Sequence, residues 1–391
     1  MNATDPTAGL TVWAEIDLDA LEHNVRTLRA RAPKSDLMAV VKADAYGHGL
    51  LPVARAAVRA GASWLGVAQF AEAFALRDAG ITTRLLTWLS VPGSDFAGAV
   101  RRDIDLSASA TWTLYAIAAA AREQGRTARV HLKVDTGLGR GGAYGTDWPA
   151  LLGHARLLEA EGVISVVGIW THFALADAPE HPTVLTQQDT FFEAVALAEK
   201  VGLRPEVRHL ANSAATLVHP SAHADLVRPG IAIYGLSPVP QVADDFDLRP
   251  VMTLRARLAL VKRVPAGQGI SYGHVYRPSV DTSVGLVPAG YADGIPRNAT
   301  NVGPIRVGDH RTTIAGRVCM DQFVVDLGPE NSAVAGDVVT LFGAGQDEPT
   351  AQDWADATDT ISYEIVSRVG ARVPRLWRGG SEDETEDGVQ V

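Results

Sequence analysis

The run Leu37-Met38-Ala39-Val40-Val41-Lys42, followed by Ala43-Asp44-Ala45-Tyr46-Gly47-His48-Gly49, decides how this chain is read. Five apolar residues without a polar break read as a buried strand. Lys42 stands at its end. The segment beyond is small, glycine-rich and polar, so a ligand can approach its backbone closely. A lysine drawn out of water loses part of its preference for the charged form. Its free amine can then attack a carbonyl and form a Schiff base. A solvated lysine ending a strand is the competing reading, and the local pattern alone does not separate the two.

Similar runs recur between about residues 17 and 240. They lie at Trp64–Ala68, Arg84–Trp88, Ile104–Ala108, Arg129–Val134, Val163–Trp170, Val207–Leu210 and Asp225–Val227. Helical stretches separate most of them: Leu51–Ala60, Ala71–Ala79, Thr113–Glu123, Trp148–Ala160 and Gln187–Val201. An earlier helix carries Leu21, Val25 and Leu28 at helical spacing, with Asp17 or Asp19 as its cap. Eight βα units predict a closed (β/α)8 TIM-type barrel, an α/β fold. An open doubly wound sheet is the alternative.

Past residue 243 the texture changes. Leu254, Ala256, Leu258 and Leu260 alternate with other residues, and further strands are expected at Ser283–Pro288, Thr312–Ala315, Gln322–Leu327 and Asp337–Phe342. Turn signals such as Pro265-Ala266-Gly267 separate them. One late helix is expected over Ala351–Arg368, capped by Thr350. The expected organisation is a barrel over residues 1–243, a mainly β domain over 244–380 and an acidic tail over 381–391. About the first 12 residues are free to associate with the second domain.

The chain has 391 residues, and 47% of them are hydrophobic, enough for a sizeable core. Lys and Arg total 35 against 45 Asp and Glu, so the net charge is 35 − 45 = −10. Glu382, Asp383, Glu384, Glu386 and Asp387 crowd the tail and read as a solvated, disordered segment. No basic stripe with interleaved aromatics appears, which argues against nucleic-acid binding. Cys319 is the single cysteine, so no intrachain disulfide forms. Residues 1–10 lack the basic and apolar regions of a signal peptide, and no apolar run approaches a membrane span. A cytoplasmic protein without membrane partners is expected.

In such a barrel the chemistry sits at the C-terminal ends of the strands. The residues there are Lys42 with Tyr46; Lys133-Val134-Asp135-Thr136-Gly137-Leu138-Gly139-Arg140; Thr171-His172-Phe173; Ala211-Asn212-Ser213; and Arg228-Pro229-Gly230-Ile231. Barrels often hold phosphate at the loops after strands seven and eight. Ser213 precedes a short helical run there, though a serine so placed is also an ordinary cap. Gly230 allows close approach and Ile231 offers an N–H. A reactive lysine with a phosphate cradle points to pyridoxal 5′-phosphate (PLP). His209, His219 and His223 raise the question of a metal. Pro220 interrupts any helix there and no acidic ligand accompanies them, so no metal is expected and they read as surface histidines. Cys319 reads as structural.

These motifs, in this order, resemble those of the alanine racemases, fold-type III PLP enzymes with a barrel and a β-rich C-terminal domain. The resemblance runs from about Trp13 to Arg375 and also takes in Ser271-Tyr272-Gly273, Gly290-Tyr291-Ala292-Asp293-Gly294, Gly316-Arg317-Val318-Cys319-Met320-Asp321-Gln322 and Ile361-Ser362-Tyr363-Glu364. It implies interconversion of L- and D-alanine, supplying D-alanine for peptidoglycan, by a homodimer with shared active sites.

Residue roles follow from the same resemblance. Lys42 and Tyr272, the latter from the partner subunit, would be the two bases on opposite faces of Cα. Free tyrosine has a pKa near 10, so a phenolate base needs positive charge or donors nearby. His172 and Arg228 match a hydrogen-bonded chain to it. Arg228 also matches the residue against the pyridine nitrogen, where an arginine can only donate. Asn212 lies in the cofactor-binding motif. Tyr46, Ser213, Gly230, Ile231 and Tyr363 match phosphate-binding positions. Arg140 matches the contact to the cofactor's phenolic oxygen and the substrate carboxylate, Lys133 a lysine carbamylated in some members, and Met320 a partner residue at the carboxylate. Without the resemblance, Tyr272 and Met320 read as ordinary strand residues and His172 as a core histidine. Two departures stand out. Leu138 replaces a common methionine, and Gly141-Gly142 replaces one bulkier residue after Arg140, which is expected to loosen that loop. A racemase of broader or serine specificity and a fold-III decarboxylase are the alternative activities.

Overall fold

Residues 5–380 are described by a computed structural model, in which the chain divides into two units. Glu22–Ala45 and Leu50–Leu248 form one. The described residues up to Leu21, Tyr46–Gly49 and those from Arg249 onward form the other. The expected acidic tail, residues 381–391, lies outside the described residues.

The first unit is built on eight strands: Asp36–Val40, Trp64–Val67, Arg84–Thr87, Asp105–Ala108, Ala128–Lys133, Ile164–Trp170, Val207–His209 and Leu226–Val227. The first seven pair in parallel in sequence order, and the eighth pairs with the first through Leu37↔Val227. Between the seventh and eighth, Asp225 N donates to Arg208 O at 3.1 Å and Arg228 N to Ala211 O at 2.8 Å. Those bonds bring the ring of strands nearly to closure and exclude the open sheet. Helices Leu50–Arg59, Phe70–Asp78, Thr111–Gln124, Asp147–Ala160 and Thr183–Lys200 alternate with the strands, as the sequence periodicity predicts. Met38, Trp64, Leu86, Val207 and Leu226, one from each of five strands, meet in one buried cluster. Burying side chains such as Met38 and Leu86 stabilises the fold by roughly 1.5–3 kcal/mol each.

The second unit has a six-stranded sheet in the order His310–Thr313, Pro304–Val307, Val338–Phe342, Met252–Arg257, Val12–Asp17, Arg375–Arg378. A three-stranded sheet joins Leu260–Val264, Thr282–Val287 and Phe323–Gly328. Val12–Asp17 lies between two strands from the far end of the chain, antiparallel to Met252–Arg257 and parallel to Arg375–Arg378. Its burial explains why a run this short is held.

One expectation is corrected. Residues 351–368 form two helices, Ala351–Ala357 and Ser362–Ser367. Thr350 does cap the first, its side chain accepting from Asp353 N at 3.0 Å. The break follows from Thr358 and Asp359. Thr358 Oγ1 donates back to Trp354 O at 2.7 Å, and Asp359 takes φ 54°, which no right-handed helix accommodates.

Candidate active site

Lys42 lies two residues past the end of the first barrel strand and opens a turn of unusual hand. Ala43, Asp44, Ala45 and Tyr46 have φ of 54°, 52°, 52° and 54°, and Gly47 has φ 82°. Four consecutive side-chain-bearing residues in the left-handed region cost about 1–2 kcal/mol each. Specific bonds hold the turn: Ala43 N donates to Glu72 Oε1 at 2.5 Å, Ala45 N to Val41 O at 2.9 Å, and Leu50 N to Asp44 Oδ1 at 2.8 Å. The sequence pattern showed a small polar segment but not this handedness.

Four cations converge in the barrel unit. Burial, and then the charge of Arg140, lowers the Lys42 pKa against the opposing pull of Glu72. Burial, Arg140 and Arg228 bring Lys133 down to about 8, its Nζ lying 4.4 Å from the Trp170 ring centroid. His172 is held well below its ordinary value by burial, then by Arg228, Arg140, Lys133 and Lys42. Its imidazole is therefore neutral among four positive groups.

Arg228 is buried, which brings its pKa down to about 9. Its Nη2 donates to Thr171 O at 2.8 Å and Leu210 O at 3.2 Å and lies 3.5 Å from His172 Nδ1, while Nη1 meets His209 Nδ1 at 3.3 Å. Among the described residues no carboxylate pairs with Arg228, and Arg140 forms no hydrogen bond or ion pair. A buried guanidinium without a counter-ion is costly. The arrangement suits an anionic ligand.

The loop carrying Arg140 is pinned, contrary to the looseness expected from Gly141-Gly142. Asp135 Oδ1 accepts from Gly137 N, Leu138 N and Gly139 N at 2.9, 3.0 and 3.2 Å. Beyond Arg140, Ala143 N donates to Lys133 O at 2.9 Å, and Ala143 O accepts from Asp135 N at 3.0 Å. The paired backbone compensates for the missing bulk.

After the seventh and eighth strands, Asn212 rather than Ser213 caps the helix Ser213–Val218, its Oδ1 accepting from Ala215 N at 3.0 Å. Ser213 is thereby released to accept at Oγ from Gly230 N at 2.8 Å and Ala232 N at 3.3 Å. Ile231 follows Gly230 as the first residue of a short 3-10 turn. Polar groups of the two loops are thus in contact.

The β-rich unit holds the remaining predicted residues. Tyr46 and Tyr363 face each other with ring centroids 6.2 Å apart, and burial raises the Tyr46 phenol well above its ordinary value. Tyr272 is 71% exposed and Met320 54%. Their segments adjoin: Ser271 Oγ donates to Arg317 O at 2.8 Å, and Ala292 N to Met320 O at 3.0 Å.

Sequence reasoning missed Gln187. It is buried; its Oε1 accepts from Ala174 N at 2.9 Å, and its Nε2 donates to Thr136 Oγ1 and His172 O, both at 3.2 Å. It ties the Arg140 loop to the His172 strand end. A polar residue on the buried face of an amphipathic helix was the available signal. Of the histidines read as surface residues, His209 and His223 are buried. His223 Nε2 lies 2.9 Å from Thr216 O, and His209 joins His131 inside the barrel.

Comparison with known proteins gives this geometry its family. Residues 16–238 match the model of the alanine racemase N-terminal domain and residues 251–377 that of its C-terminal domain. An alanine racemase of Frankia casuarinae is 60% identical over 367 residues, 93% of this chain and 95% of that protein. One from Streptomyces coelicolor is 56% identical, over 95% of this chain and 97% of that protein. The crystal structure of alanine racemase from D-cycloserine-producing Streptomyces lavendulae superposes with a TM-score of 0.94 at 56% identity, covering 95% of this chain and 98% of that one. Fold and site thus define an isomerase built on a (β/α)8 barrel with a β-rich second domain. The chain belongs to the alanine racemase family.

Proposed function

We propose that this protein racemises alanine with PLP as cofactor and two bases, Lys42 and Tyr272. The observation that carries the reading is the cluster of Lys42, Lys133, Arg140 and Arg228 around a neutral His172, with no carboxylate paired to either arginine among the described residues. A phosphorylated aldehyde and a carboxylate substrate together supply the negative charge that the two arginines lack. The residues fit the cofactor.

When bound, PLP supplies an electron sink that acidifies the substrate Cα–H. Lys42 would hold the cofactor between turnovers, and its lowered pKa favours a neutral Nζ able to take or return the Cα proton on one face. Tyr272 Oη would do the same on the other face. Arg228, which can only donate, would offer N–H groups to the ring nitrogen without giving up a full proton, favouring return of a proton to Cα over side reactions. Ser213, Gly230, Ile231, Tyr46 and Tyr363 would bind the phosphate, with Asn212 ordering the loop. Arg140 would bind the substrate carboxylate with Met320. A carbamate on Lys133 would turn a like-charge neighbour of Arg140 into a partner.

We further propose a homodimer in which Tyr272 and Met320 serve the partner's barrel. The supporting observation is their exposure, shared with Tyr291 and Val275 in the same unit, because exposed apolar patches mark interfaces. Among the described residues no helix is long and apolar enough to cross a membrane. Together with the single cysteine, this supports a cytoplasmic role in supplying D-alanine for peptidoglycan.

Two measurements test the central reading. The purified protein should bind PLP with a visible absorption band that borohydride abolishes, and it should convert either enantiomer of alanine to the racemate by chiral chromatography. Failure to take up PLP, or turnover of serine or decarboxylation in place of alanine racemisation, rejects it.

A further inference from the structure

Three fully buried polar side chains in the barrel take no part in the chemistry above: Asp105, His131 and His209, each at 0% exposure. They form a single file. Arg228 Nη1 lies 3.3 Å from His209 Nδ1, His209 Nε2 lies 2.9 Å from His131 Nδ1, and His131 Nε2 lies 3.2 Å from Asp105 Oδ2. Both ends of the file have a fixed sense. An arginine only donates and an ionised carboxylate only accepts. Asp105 is ionised. Burial alone would raise its pKa, but the bond from His131 and the guanidinium groups of Arg129 and Arg84, both paired with its carboxylate, hold it below the usual carboxylate range.

Only one proton arrangement then satisfies every link. Arg228 donates to His209 Nδ1, His209 Nε2–H donates to His131 Nδ1, and His131 Nε2–H donates to Asp105. A proton on Nδ1 of His131 forces His209 Nε2 to accept. The single ring proton of His209 then sits on Nδ1 and faces the guanidinium N–H across 3.3 Å. Two donors would oppose each other in a dry site, at full desolvation cost.

The strands are shaped around this file. A register shift between Val130 and His131 brings His131 opposite Gly168 on the next strand. A Cβ at residue 168 would collide with the His131 ring. Bulges re-aim side chains in this way. His209 stacks on Trp170 at 3° between planes, and His131 meets Trp64 edge-on at 84°.

We infer that Asp105 and His131 are positioning residues, which act through His209 to hold Arg228 in one orientation as a donor. This inference rests on the proposed role of Arg228 toward the cofactor. The test separates the two. Long-range ¹H–¹⁵N spectra of the histidine-labelled protein, with and without PLP, read which ring nitrogen carries each proton. Both His131 and His209 should be neutral and protonated at Nε2 in either form. A proton on Nδ1 of either ring overturns the inference, whether or not the protein racemises alanine.

A variant adds the functional arm. His131→Phe keeps a ring but removes both links. His209 should then lose its single tautomer, and kcat for alanine should fall, by no more than the about 10–100-fold that losing a direct partner of a site residue costs, with little change in KM. His131→Gln, whose amide can accept from His209 and donate to Asp105, should regain part of that loss. Equal loss in both variants, or an unchanged His209 tautomer in His131→Phe, overturns the inference. If His131→Phe does not fold, the unmodified protein's tautomers still decide it.

Discussion

Lys42 and its neighbours show how charge crowding sets chemistry. Burial lowers the affinity of Lys42 and Lys133 for protons, and the charge of Arg140 beside both adds to the effect. Lys133, brought to about 8, presents enough neutral amine near neutrality to add CO₂, losing one proton as the N–C bond forms. A carbamate signal should therefore appear in ¹³C NMR of protein equilibrated with ¹³C-bicarbonate and vanish in Lys133→Ala. Tyr272→Phe should lower turnover by about 10²–10⁴-fold, the usual size of a general acid–base contribution. Its PLP absorbance should persist, and loss of colour would reassign Tyr272 to cofactor binding. His172 and His209 are both held well below 6.5, burial being the first cause. Unfolding exposes rings that bind protons below that pH while the folded rings stay neutral. Stability should be fully present above about pH 6.5 and decline as the pH falls below it. Thermal melts between pH 8 and 5 check the sign.

At the scale of elements, the turn after Lys42 is strained and locally braced. Its left-handed residues persist only because neighbouring bonds over-determine them. Gly47 is where a side chain fits least: φ is 82°, and an added Cβ would lie 2.5 Å from Val366 O. Gly47→Ala should destabilise the protein by about 1–3 kcal/mol. A fall in thermal midpoint with an unchanged far-UV spectrum would register it, and an unchanged midpoint would mean the turn can relax. Gln187 braces a second element. Gln187→Leu removes the partners of Ala174 N–H and His172 O, half-buried groups, and should lower the thermal midpoint by the equivalent of about 1 kcal/mol.

At the scale of the molecule, the two-unit chain carries proposed bases in different units: Lys42 in the barrel and Tyr272 in the β-rich unit. If the partner's Tyr272 completes each site, Lys42→Ala and Tyr272→Phe protomers are each inactive alone. Mixed at equal amounts and allowed to exchange, half of the dimers are hybrids with one intact site of two. Activity should then return to about one quarter of the unmodified level, as two-fold symmetry requires. Exchange demonstrated by mass, without recovered activity, would make each site self-contained.

The sequence by itself determined the βα repeat, the β-rich second unit and the strand ends proposed to bear the chemistry. Those features follow from local periodicity: apolar runs such as Leu37–Val41 and amphipathic helices such as Trp148–Ala160 declare themselves within a few residues. Tertiary structure alone decided closure of the strands into a barrel rather than an open sheet, the hand of the turn at Ala43–Tyr46, the break at Thr358–Asp359 and the cap at Asn212, because each depends on which backbone groups find partners. It also decided the fate of the buried polar residues. Asp105, His131, Gln187 and His209 are scattered over about a hundred positions and share no local pattern. They become networks only when closure of the strands removes water and leaves each donor one acceptor to find.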